Sequence, residues 1–502
     1  MLDVDTATST RSPLFRVSPG DAVATALRDL PAGTRATVGE VAIVLNEEVP
    51  FGHKVALAAL EPGEAVLKFG FPIGIATSPI RPGDWVHSHN VSTALATSGD
   101  YEQGVPPPPP STRPAVGFSG YRRQDGRVAT RNEIWVLPTV GCVAQTARKI
   151  AERAEGLHAG RVDGVHAFVH PFGCSQLGHD LHATRAVLAA LAQHPNAGGV
   201  LLVGLGCEEN QLGRLLDAID PAVHPRIRTL AAQVADDEVE EGLALVEELI
   251  AQAEGATREQ VPLADLVLGV KCGGSDGFSG LTANPLVGRM SDAVTEAGGT
   301  AVLTEIPEVF GAEQLLMQRA ADSTVFDGIV TLVNDFKRYF TDHGEPVSEN
   351  PSPGNVAGGI TTLEEKSLGA VQKAGHAVVT DVRAYGQQVR RSGLTLLEAP
   401  GNDAVSCTAL AAAGATMILF TTGRGTPLGF PVPTVKIASN TELAGRKRRW
   451  IDFDAGSVLA EGVEPAAQAL LELLRGIASG IPTAAERNGE REIAIWKRGV
   501  TL

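Results

Sequence analysis

The segment from Val200 to Glu209 reads Val-Leu-Leu-Val-Gly-Leu-Gly-Cys-Glu-Glu. Consecutive apolar residues that end in a glycine turn and an acidic helix start are typical of a buried strand in a parallel sheet. The same pattern occurs at residues 134–137, 166–169, 266–270 and 417–420, each followed by a turn. Strands that alternate with helices in this way predict α/β domains whose sheets are covered on both faces.

Turn signals and one proline run divide the chain. Residues 16–98 contain short apolar runs between Pro-Gly turns, which predict a compact β domain. Pro106–Pro110 cannot enter a helix or a central strand and favour an extended spacer. We therefore predict an α/β multidomain protein with these parts: a small N-terminal β-rich domain at 1–100, a proline-rich linker at 101–114, a central α/β domain at 115–255 and a C-terminal α/β domain at 260–502.

Composition excludes several classes of protein. The chain has 502 residues and a formal net charge of −16, and its one basic run, Arg446–Arg449, reads as a solvated helix face, so no nucleic-acid partner is expected. Residues 1–14 lack the apolar core of a secretory signal, and the longest apolar run is far short of the roughly 20 residues that span a membrane. Five cysteines, an odd number, favour reduced thiols in the cytoplasm. A homodimer is the base-rate expectation.

Cysteines recur at one kind of position. Cys142, Cys174, Cys207 and Cys272 each lie at the end of an apolar run or in the turn after it, where open α/β sheets bind ligands. One such cysteine is more often a small apolar residue that fits a tight turn. Four at matching positions make a metal site, with iron as the metal, an equally good interpretation. The absence of a C-x-x-C pair argues against a zinc finger.

Carboxylates, histidines and one arginine could complete a site. Glu208 follows Cys207, and Asp276, Glu305 and Glu308 also lie at turns, although carboxylates at helix starts more often cap the helix. His87 and His89 would share one face of an extended segment, as two metal ligands, as an acid–base pair or simply as a solvated loop. His53-Lys54 is a cation pair suited to a carboxylate, or a surface turn. Arg424 between two glycines suits an anion.

The sequence contains no complete nucleotide-binding or serine-hydrolase motif. The G-x-G turn at Gly204–Gly206 begins a dinucleotide fingerprint, but Glu209 occupies the position of the third glycine and would repel a pyrophosphate. Neither G-x-x-x-x-G-K-[ST] nor G-x-S-x-G occurs in the chain. These patterns argue against NAD, ATP and serine-hydrolase chemistry.

A set of longer motifs is more specific. It comprises Gly52-His53-Lys54, Gly173-Cys174-Ser175-Gln176, His194-Pro195-Asn196, Gly204-Leu205-Gly206-Cys207-Glu208, Cys272-Gly273-Gly274-Ser275-Asp276, Thr282-Ala283-Asn284-Pro285, Pro351-Ser352-Pro353-Gly354-Asn355 and Thr422-Gly423-Arg424-Gly425-Thr426-Pro427. Together they resemble the altronate/galactarate dehydratase family over essentially the whole chain. His87-Ser88-His89-Asn90 and Pro307-Glu308-Val309-Phe310-Gly311 are similar to its altronate branch.

The resemblance implies a fold, a cofactor and a reaction. The N-terminal domain is expected to be SAF-like (antifreeze-like, β-clip) and the last domain Rossmann-like. The implied cofactor is Fe²⁺, with Mn²⁺ or another divalent metal as alternatives, and mononuclear iron is favoured over an iron–sulfur cluster. The implied reaction is the dehydration of a sugar acid, with D-altronate giving 2-keto-3-deoxy-D-gluconate. A galactarate dehydratase, a sulfolactate sulfo-lyase-like enzyme and a non-catalytic sugar-acid-binding protein are the alternatives.

The chemistry of this reaction distributes roles among the candidate residues. A cation must neutralise the substrate carboxylate, a base must remove the α-proton, and an acid must protonate the departing β-hydroxyl. The predicted acid–base residues are His53, His87 and His89. The predicted substrate-binding residues are Lys54, Asn90, Asn284 and Arg424. The predicted metal ligands are Cys142, Cys174, Cys207, Glu208 and Cys272.

Overall fold

The computed structural model describes residues 12–96, 101–105, 116–499 and 501, so the predicted proline run lies outside the described residues. The first part of the chain forms antiparallel sheets of the orders β1-β2-β5-β8, β3-β4 and β6-β7-β9. The strands are β1 (Leu14–Phe15), β2 (Val23–Ala26), β3 (Arg35–Val38), β4 (Val41–Val44), β5 (Lys54–Ala56), β6 (Ala65–Lys68), β7 (Phe71–Ala76), β8 (Trp85–Val86) and β9 (Val91–Ser92). Gly33, Gly63 and Gly83 adopt positive φ at the turns that the sequence predicts.

The second part of the chain is an α/β unit. Its parallel sheet has the order β13-β12-β14-β15, and a small antiparallel sheet of order β11-β10-β16 lies beside it. The elements are β10 (Gly117–Arg122), β11 (Val128–Ala129), β12 (Glu133–Pro138), α1 (Ala144–His158), β13 (Val165–Ala167), α2 (Gly178–Ala192), β14 (Ala197–Gly204), α3 (Leu212–Leu216), β15 (Ile227–Ala231), α4 (Glu238–Ala253) and β16 (Glu259–Pro262), with 3₁₀ turns at Gly141–Val143 and Pro221–Arg226.

The third part of the chain is a larger α/β unit with a seven-stranded parallel sheet of order β19-β20-β18-β17-β21-β22-β23. Its strands are β17 (Val267–Cys272), β18 (Thr300–Leu303), β19 (Val379–Arg383), β20 (Gly393–Leu397), β21 (Met417–Thr422), β22 (Thr434–Ala438) and β23 (Phe453–Asp454). Its helices are α5 (Ala283–Glu296), α6 (Glu313–Met317), α7 (Ser323–Asp342), α8 (Pro353–Ala357), α9 (Leu363–Ala370), α10 (Asp403–Ala412), α11 (Thr441–Arg446), α12 (Val458–Glu461), α13 (Val463–Ala478) and α14 (Ala484–Arg487), with 3₁₀ turns at Leu263–Asp265, Ile306–Glu308, Val371–Ala374 and Ala455–Ser457.

The predicted architecture is confirmed: an antiparallel β-rich domain precedes two α/β domains with parallel sheets. Apolar residues of all three parts, including Val23, Leu188 and Val270, belong to one continuous core. The strand order of the third domain reverses beside β17, whose neighbours are β18 and β21. Such a reversal opens a crevice at the carboxyl ends of the two strands, where ligands bind in open α/β sheets. None of the described helices is long and apolar enough to cross a membrane.

Candidate active site

The crevice beside β17 is formed by two loops that are hydrogen-bonded to each other. Gly273 N donates to Thr421 O at 2.8 Å, and Gly423 N donates to Gly274 O at 2.8 Å. Arg424 is exposed and lies against Gly274. We call this place, formed by residues 273–276 and 422–424, the switch crevice. Its rim therefore carries a guanidinium that is open to solvent.

A buried carboxylate stabilises the floor of the switch crevice. Asp276 accepts hydrogen bonds from Ser279 Oγ at 2.8 Å, Ser439 Oγ at 2.8 Å and Asn440 Nδ2 at 3.0 Å. These partners lie on two segments, because Ser279 follows β17 and Ser439 and Asn440 follow β22, so Asp276 ties the two loops together. Its oxygens are occupied by this structural role.

The N-terminal domain covers the switch crevice. A Cβ atom on Gly277 would overlap Gly52 O, so the backbone segments around these two glycines pass very close to each other. His87 Nε2 lies 3.0 Å from Val356 O, and His53 Nε2 lies 3.4 Å from Ala357 O. The β domain therefore contacts the C-terminal end of α8 as well as the loop after β17.

The structure brings two of the three predicted histidines together. The rings of His53 and His87 stack with centroids 5.0 Å apart, and Trp85 Nε1 donates to His53 Nδ1 at 3.2 Å. Burial, with His87 and Lys54 next in importance, lowers the pKa of His53 to about 4. Burial and then Lys54 lower the pKa of His87. Both rings are therefore neutral near pH 7, whereas His89 is exposed and packs on Trp85.

Lys54 is buried and paired with a carboxylate inside the protein. Its Nζ donates to Glu365 Oε2 at 2.8 Å and to Gly359 O at 2.6 Å, and Lys68 Nζ donates to Glu365 Oε1 at 2.8 Å. Burial lowers the pKa of Lys54 to about 8, although Glu365 acts in the opposite direction. The triad of Lys54, Lys68 and Glu365 joins the β domain to α9. Sequence reasoning missed Glu365 and Lys68.

The two predicted asparagines also make internal hydrogen bonds. Asn90 Oδ1 accepts from His87 N at 2.9 Å, which shapes the histidine turn. Asn284 accepts from Thr421 Oγ1 at 2.7 Å and donates to Gly369 O at 3.0 Å. Direct binding of a substrate by these side chains and by Lys54 stays a prediction, because their polar atoms are engaged within the protein.

A buried group that could hold a metal ion lies at the carboxyl ends of β17 and β18. Ligand atoms of Cys272, Glu305 and Glu308 lie within 4.8 Å of one another. Cys272 Sγ lies 2.9 Å from Glu308 Oε2, to which the thiol donates, and Cys272 N donates to Glu305 Oε2 at 2.8 Å. Of the predicted metal ligands, Cys272 is the one in this group. Glu305 and Glu308 are two of the turn carboxylates that the sequence marks as able to bind a metal.

Three buried lysines surround this group. Lys373 Nζ lies 2.7 Å from Cys272 Sγ, Lys366 Nζ lies 2.8 Å from Glu308 Oε1, and Lys271 Nζ lies 3.1 Å from Glu305 Oε1. Burial raises the pKa of Cys272, so its thiol stays neutral. These ammonium groups face the carboxylates of Glu305 and Glu308, and Lys271 also pairs with Asp403. The spacing of the ligand atoms suits a metal ion, but lysines already pair with the carboxylates that would bind it.

The other predicted metal ligands lie elsewhere. Cys142, Cys174 and Cys207 are exposed in the second domain, whereas Cys272 is buried in the third. The Glu208 carboxylate accepts from Thr139 Oγ1 at 2.6 Å and from Gly206 N at 2.6 Å, so it ties two loops together. The structure therefore divides the predicted ligand set, because the two parallel sheets have separate carboxyl edges.

Comparison with known proteins accounts for nearly the whole chain. Three family profiles match in order: Altronate/galactarate dehydratase SAF domain at residues 12–94, D-galactarate dehydratase/Altronate hydrolase, second domain, at 120–254, and D-galactarate/Altronate dehydratase, C-terminal, at 263–501. The altronate dehydratase of Bacillus subtilis (strain 168) is 48% identical over 494 residues, which are 97% of this chain and 99% of that protein. The chain belongs to the altronate/galactarate dehydratase family.

Two further family members help to place the chain within this family. The altronate dehydratase of Escherichia coli (strain K12) is 48% identical over 490 residues, 96% of this chain and 98% of that protein. The galactarate dehydratase (L-threo-forming) of the same organism is 34% identical over 494 residues, 93% of this chain and 92% of that protein. The chain is therefore more similar to these altronate dehydratases than to this galactarate dehydratase, and the predicted resemblance is confirmed.

Proposed function

We propose that this protein is a cytoplasmic hydro-lyase that dehydrates D-altronate to 2-keto-3-deoxy-D-gluconate and water. The observation that carries the proposal is the likeness to altronate dehydratases across all three domains, which exceeds the likeness to a galactarate dehydratase. The alternatives on the same scaffold are galactarate dehydration and the elimination of sulfite from sulfolactate. A protein that binds sugar acids without catalysis is the alternative of another class.

We place the substrate in the switch crevice. Without the edge strand β19, the third sheet has the strand order of a Rossmann-like fold, in which ligands bind at the reversal point. In that position a sugar acid would lie between Asp276 and Arg424, beneath the SAF domain. A guanidinium can bind a carboxylate through two parallel hydrogen bonds, so we assign the substrate carboxylate to Arg424.

Acid–base work is assigned to the histidine group of the SAF domain. The reaction needs a base for the C2 proton and an acid for the leaving C3 hydroxyl. His53 and His87 are neutral near pH 7, as a base must be, and the exposed His89 can exchange protons with solvent. Lys54 and Asn90 are assigned the positioning of these rings. A divalent metal, when bound, would supply positive charge that offsets the substrate carboxylate.

The proposal is tested with a substrate panel. The protein is incubated anaerobically with Fe²⁺ or Mn²⁺ and with D-altronate, galactarate or sulfolactate, and the keto-acid product is measured. The highest kcat/KM is expected for D-altronate. Faster turnover of galactarate or sulfolactate would show that D-altronate is not the preferred substrate. Saturable binding of D-altronate without product would support the alternative of a non-catalytic binding protein.

Substitution of Arg424 tests the location of the substrate. A charge-assisted hydrogen bond contributes roughly 1.5–3 kcal/mol, so Arg424→Ala is expected to lower kcat/KM by about 10- to 150-fold, largely through KM. Arg424→Lys keeps the charge but not the paired hydrogen bonds, and an intermediate loss is expected. Arg446→Ala is the control, because Arg446 is an exposed cation on α11 outside the crevice. An unchanged KM in Arg424→Ala would remove Arg424 from substrate binding.

His89→Asn and His53→Asn test the acid–base assignment, since asparagine keeps a hydrogen-bonding group but cannot exchange a proton. Each is expected to lower kcat by at least about 100-fold. Normal turnover in both variants, with the fold intact by circular dichroism, would remove these residues from the mechanism.

A further inference from the structure

A second charged side chain, Asp403, lies at the switch crevice. Asp403 is the first residue of α10, which follows β20 and packs against β17 and β21. A Cβ atom on Gly273 would lie 3.6 Å from Asp403 Oδ2, and a Cβ atom on Gly274 would lie 3.2 Å from Arg424 Cγ. Two successive glycines of the loop after β17 therefore lie next to a carboxylate and next to the arginine that is assigned to the substrate carboxylate.

The two charged groups are close enough to contact one hexonic acid. Since consecutive Cα atoms are ~3.8 Å apart, Asp403 Oδ2 and Arg424 Cγ are separated by at most about 14 Å. A six-carbon chain with bonds of ~1.5 Å spans about 6 Å between its end carbons. Hydrogen bonds of ~2.8 Å at both ends and the length of the flexible arginine side chain cover the remaining distance. A sugar acid bound to Arg424 can therefore reach Asp403.

One oxygen of the Asp403 carboxylate is held inside the protein and the other is available. Oδ1 accepts a hydrogen bond from Lys271 Nζ, and the side chain of Lys271 is 0% exposed, whereas that of Asp403 is 31% exposed. Within the part of the chain that the structure describes, no donor forms a hydrogen bond with Oδ2. Lys271 thus fixes the carboxylate, and Oδ2 remains to accept a hydrogen bond from a bound molecule.

A carboxylate opposite an arginine distinguishes two classes of sugar acid. An aldonic acid such as D-altronate has a carboxylate at C1 and a hydroxyl at C6, whereas an aldaric acid such as galactarate has a carboxylate at both ends. A hydroxyl can donate to Asp403 Oδ2, but a second carboxylate can only accept, and the two negative charges would repel each other. Lys271 offsets this repulsion only in part, because its buried ammonium also pairs with Glu305 at 3.1 Å. Specific binding sites use such repulsive contacts to exclude the wrong ligand.

We propose that Asp403 makes this protein selective for aldonic over aldaric acids. In the complex, the C1 carboxylate lies on Arg424 and the C6 hydroxyl donates to Asp403 Oδ2, which also fixes the direction of the carbon chain across the crevice. Asp403 contacts C6 and not the reacting carbons, so it affects binding rather than the chemical step. This selectivity rests on the proposed function, from which the position of the substrate is taken.

Asp403→Asn tests the repulsion. Asparagine keeps an oxygen for Lys271, while its amide can donate to the second carboxylate of galactarate. The ratio of kcat/KM for galactarate to kcat/KM for D-altronate should rise at least about 10-fold, because a hydrogen bond replaces a like-charge contact. If galactarate is not turned over, its inhibition constant against D-altronate should fall by the same factor. A change of less than about threefold in these quantities would overturn the proposal.

Glu313→Gln is the matched control for the loss of a negative charge beside a buried lysine. Glu313 lies on α6, outside the switch crevice, and pairs with Lys337 at 2.7 Å. Its substitution should change kcat/KM for both acids by the same factor. If the galactarate ratio rises as much in Glu313→Gln as in Asp403→Asn, the effect does not come from the crevice and the proposal is overturned.

The substrate analogue 6-deoxy-D-altronate tests the hydrogen bond at C6. With the unsubstituted protein its KM should exceed that of D-altronate by at least about 10-fold, since a hydrogen bond to a charged group is lost. Asp403→Ala has no acceptor at this position, so the two KM values should then differ by less than about threefold. An undiminished difference in Asp403→Ala would overturn the contact between Asp403 and the C6 hydroxyl.

Binding measurements separate this selectivity from the proposed function. If D-altronate binds but is not dehydrated, the proposed function fails, and dissociation constants from calorimetry take the place of KM with the same changes expected. If D-altronate is dehydrated but the Asp403 variants affect all three acids equally, only the selectivity assigned to Asp403 fails. Absence of binding of all three acids to the unsubstituted protein would overturn both.

Discussion

Glu365→Gln provides the sharpest test of how the SAF domain is attached. The Glu365 carboxylate faces the ammonium groups of Lys54 and Lys68, and the side chains of the three residues are 2%, 0% and 3% exposed. Burial opposes ionisation of Glu365, but the two lysines outweigh it and lower its pKa far below the usual range. Glutamine keeps the shape but leaves two buried cations without a counter-charge. Breaking a buried pair in this way costs about 3–5 kcal/mol.

The assay is native-state hydrogen exchange of peptides that contain β5 and α9. Since 1.4 kcal/mol is a factor of ten, exchange of these amides should accelerate on the order of 10² to 10³-fold. Glu442→Gln, which removes one member of an exposed pair with Arg446, is the matched control and should change little. Adding Lys68→Met to Glu365→Gln should restore part of the protection. Acceleration below threefold in Glu365→Gln would refute the role given to the triad.

Two further predictions concern domain contacts. His194 Nε2 contacts Ala415 O at 3.1 Å, and burial lowers the pKa of His194 to about 3. The unfolded chain binds this proton below pH 6.5 and the folded chain does not, so the histidine removes about 2 kcal/mol of stability between pH 6.5 and 5. The free energy of unfolding, measured with urea at pH 6.5 and pH 5, should therefore fall by about 2 kcal/mol less in His194→Gln than in the unsubstituted protein. An equal fall in both proteins would contradict the assignment. Gly277→Ala, whose Cβ would meet Gly52 O, should loosen the SAF domain and speed exchange at β5. Gly156→Ala, in open space within α1, should instead stabilise by up to about 1 kcal/mol, and equal effects of the two would argue against close domain contact.

Local sequence patterns were sufficient to predict the architecture. Apolar runs and glycine turns depend on near neighbours in the chain, and they correctly indicated the parallel strands around Val200 and the β turns at Gly33, Gly63 and Gly83. The same patterns placed Cys142, Cys174, Cys207 and Cys272 at strand ends. They could not show which strand ends share a sheet, because that depends on the packing of segments far apart in sequence.

Burial and charge pairing could be determined only from the tertiary structure. Lys54 reads as a free cation in the sequence, yet Glu365, more than 300 residues away, neutralises it inside the protein. Cys272 reads as one of several equivalent thiols, yet burial and the neighbouring Glu308 raise its pKa and keep the thiol neutral. The reason is physical. Hydrophobic periodicity depends on residues that are close together in the sequence. The free energy of a charge depends instead on every group that folding brings within a few ångströms of it.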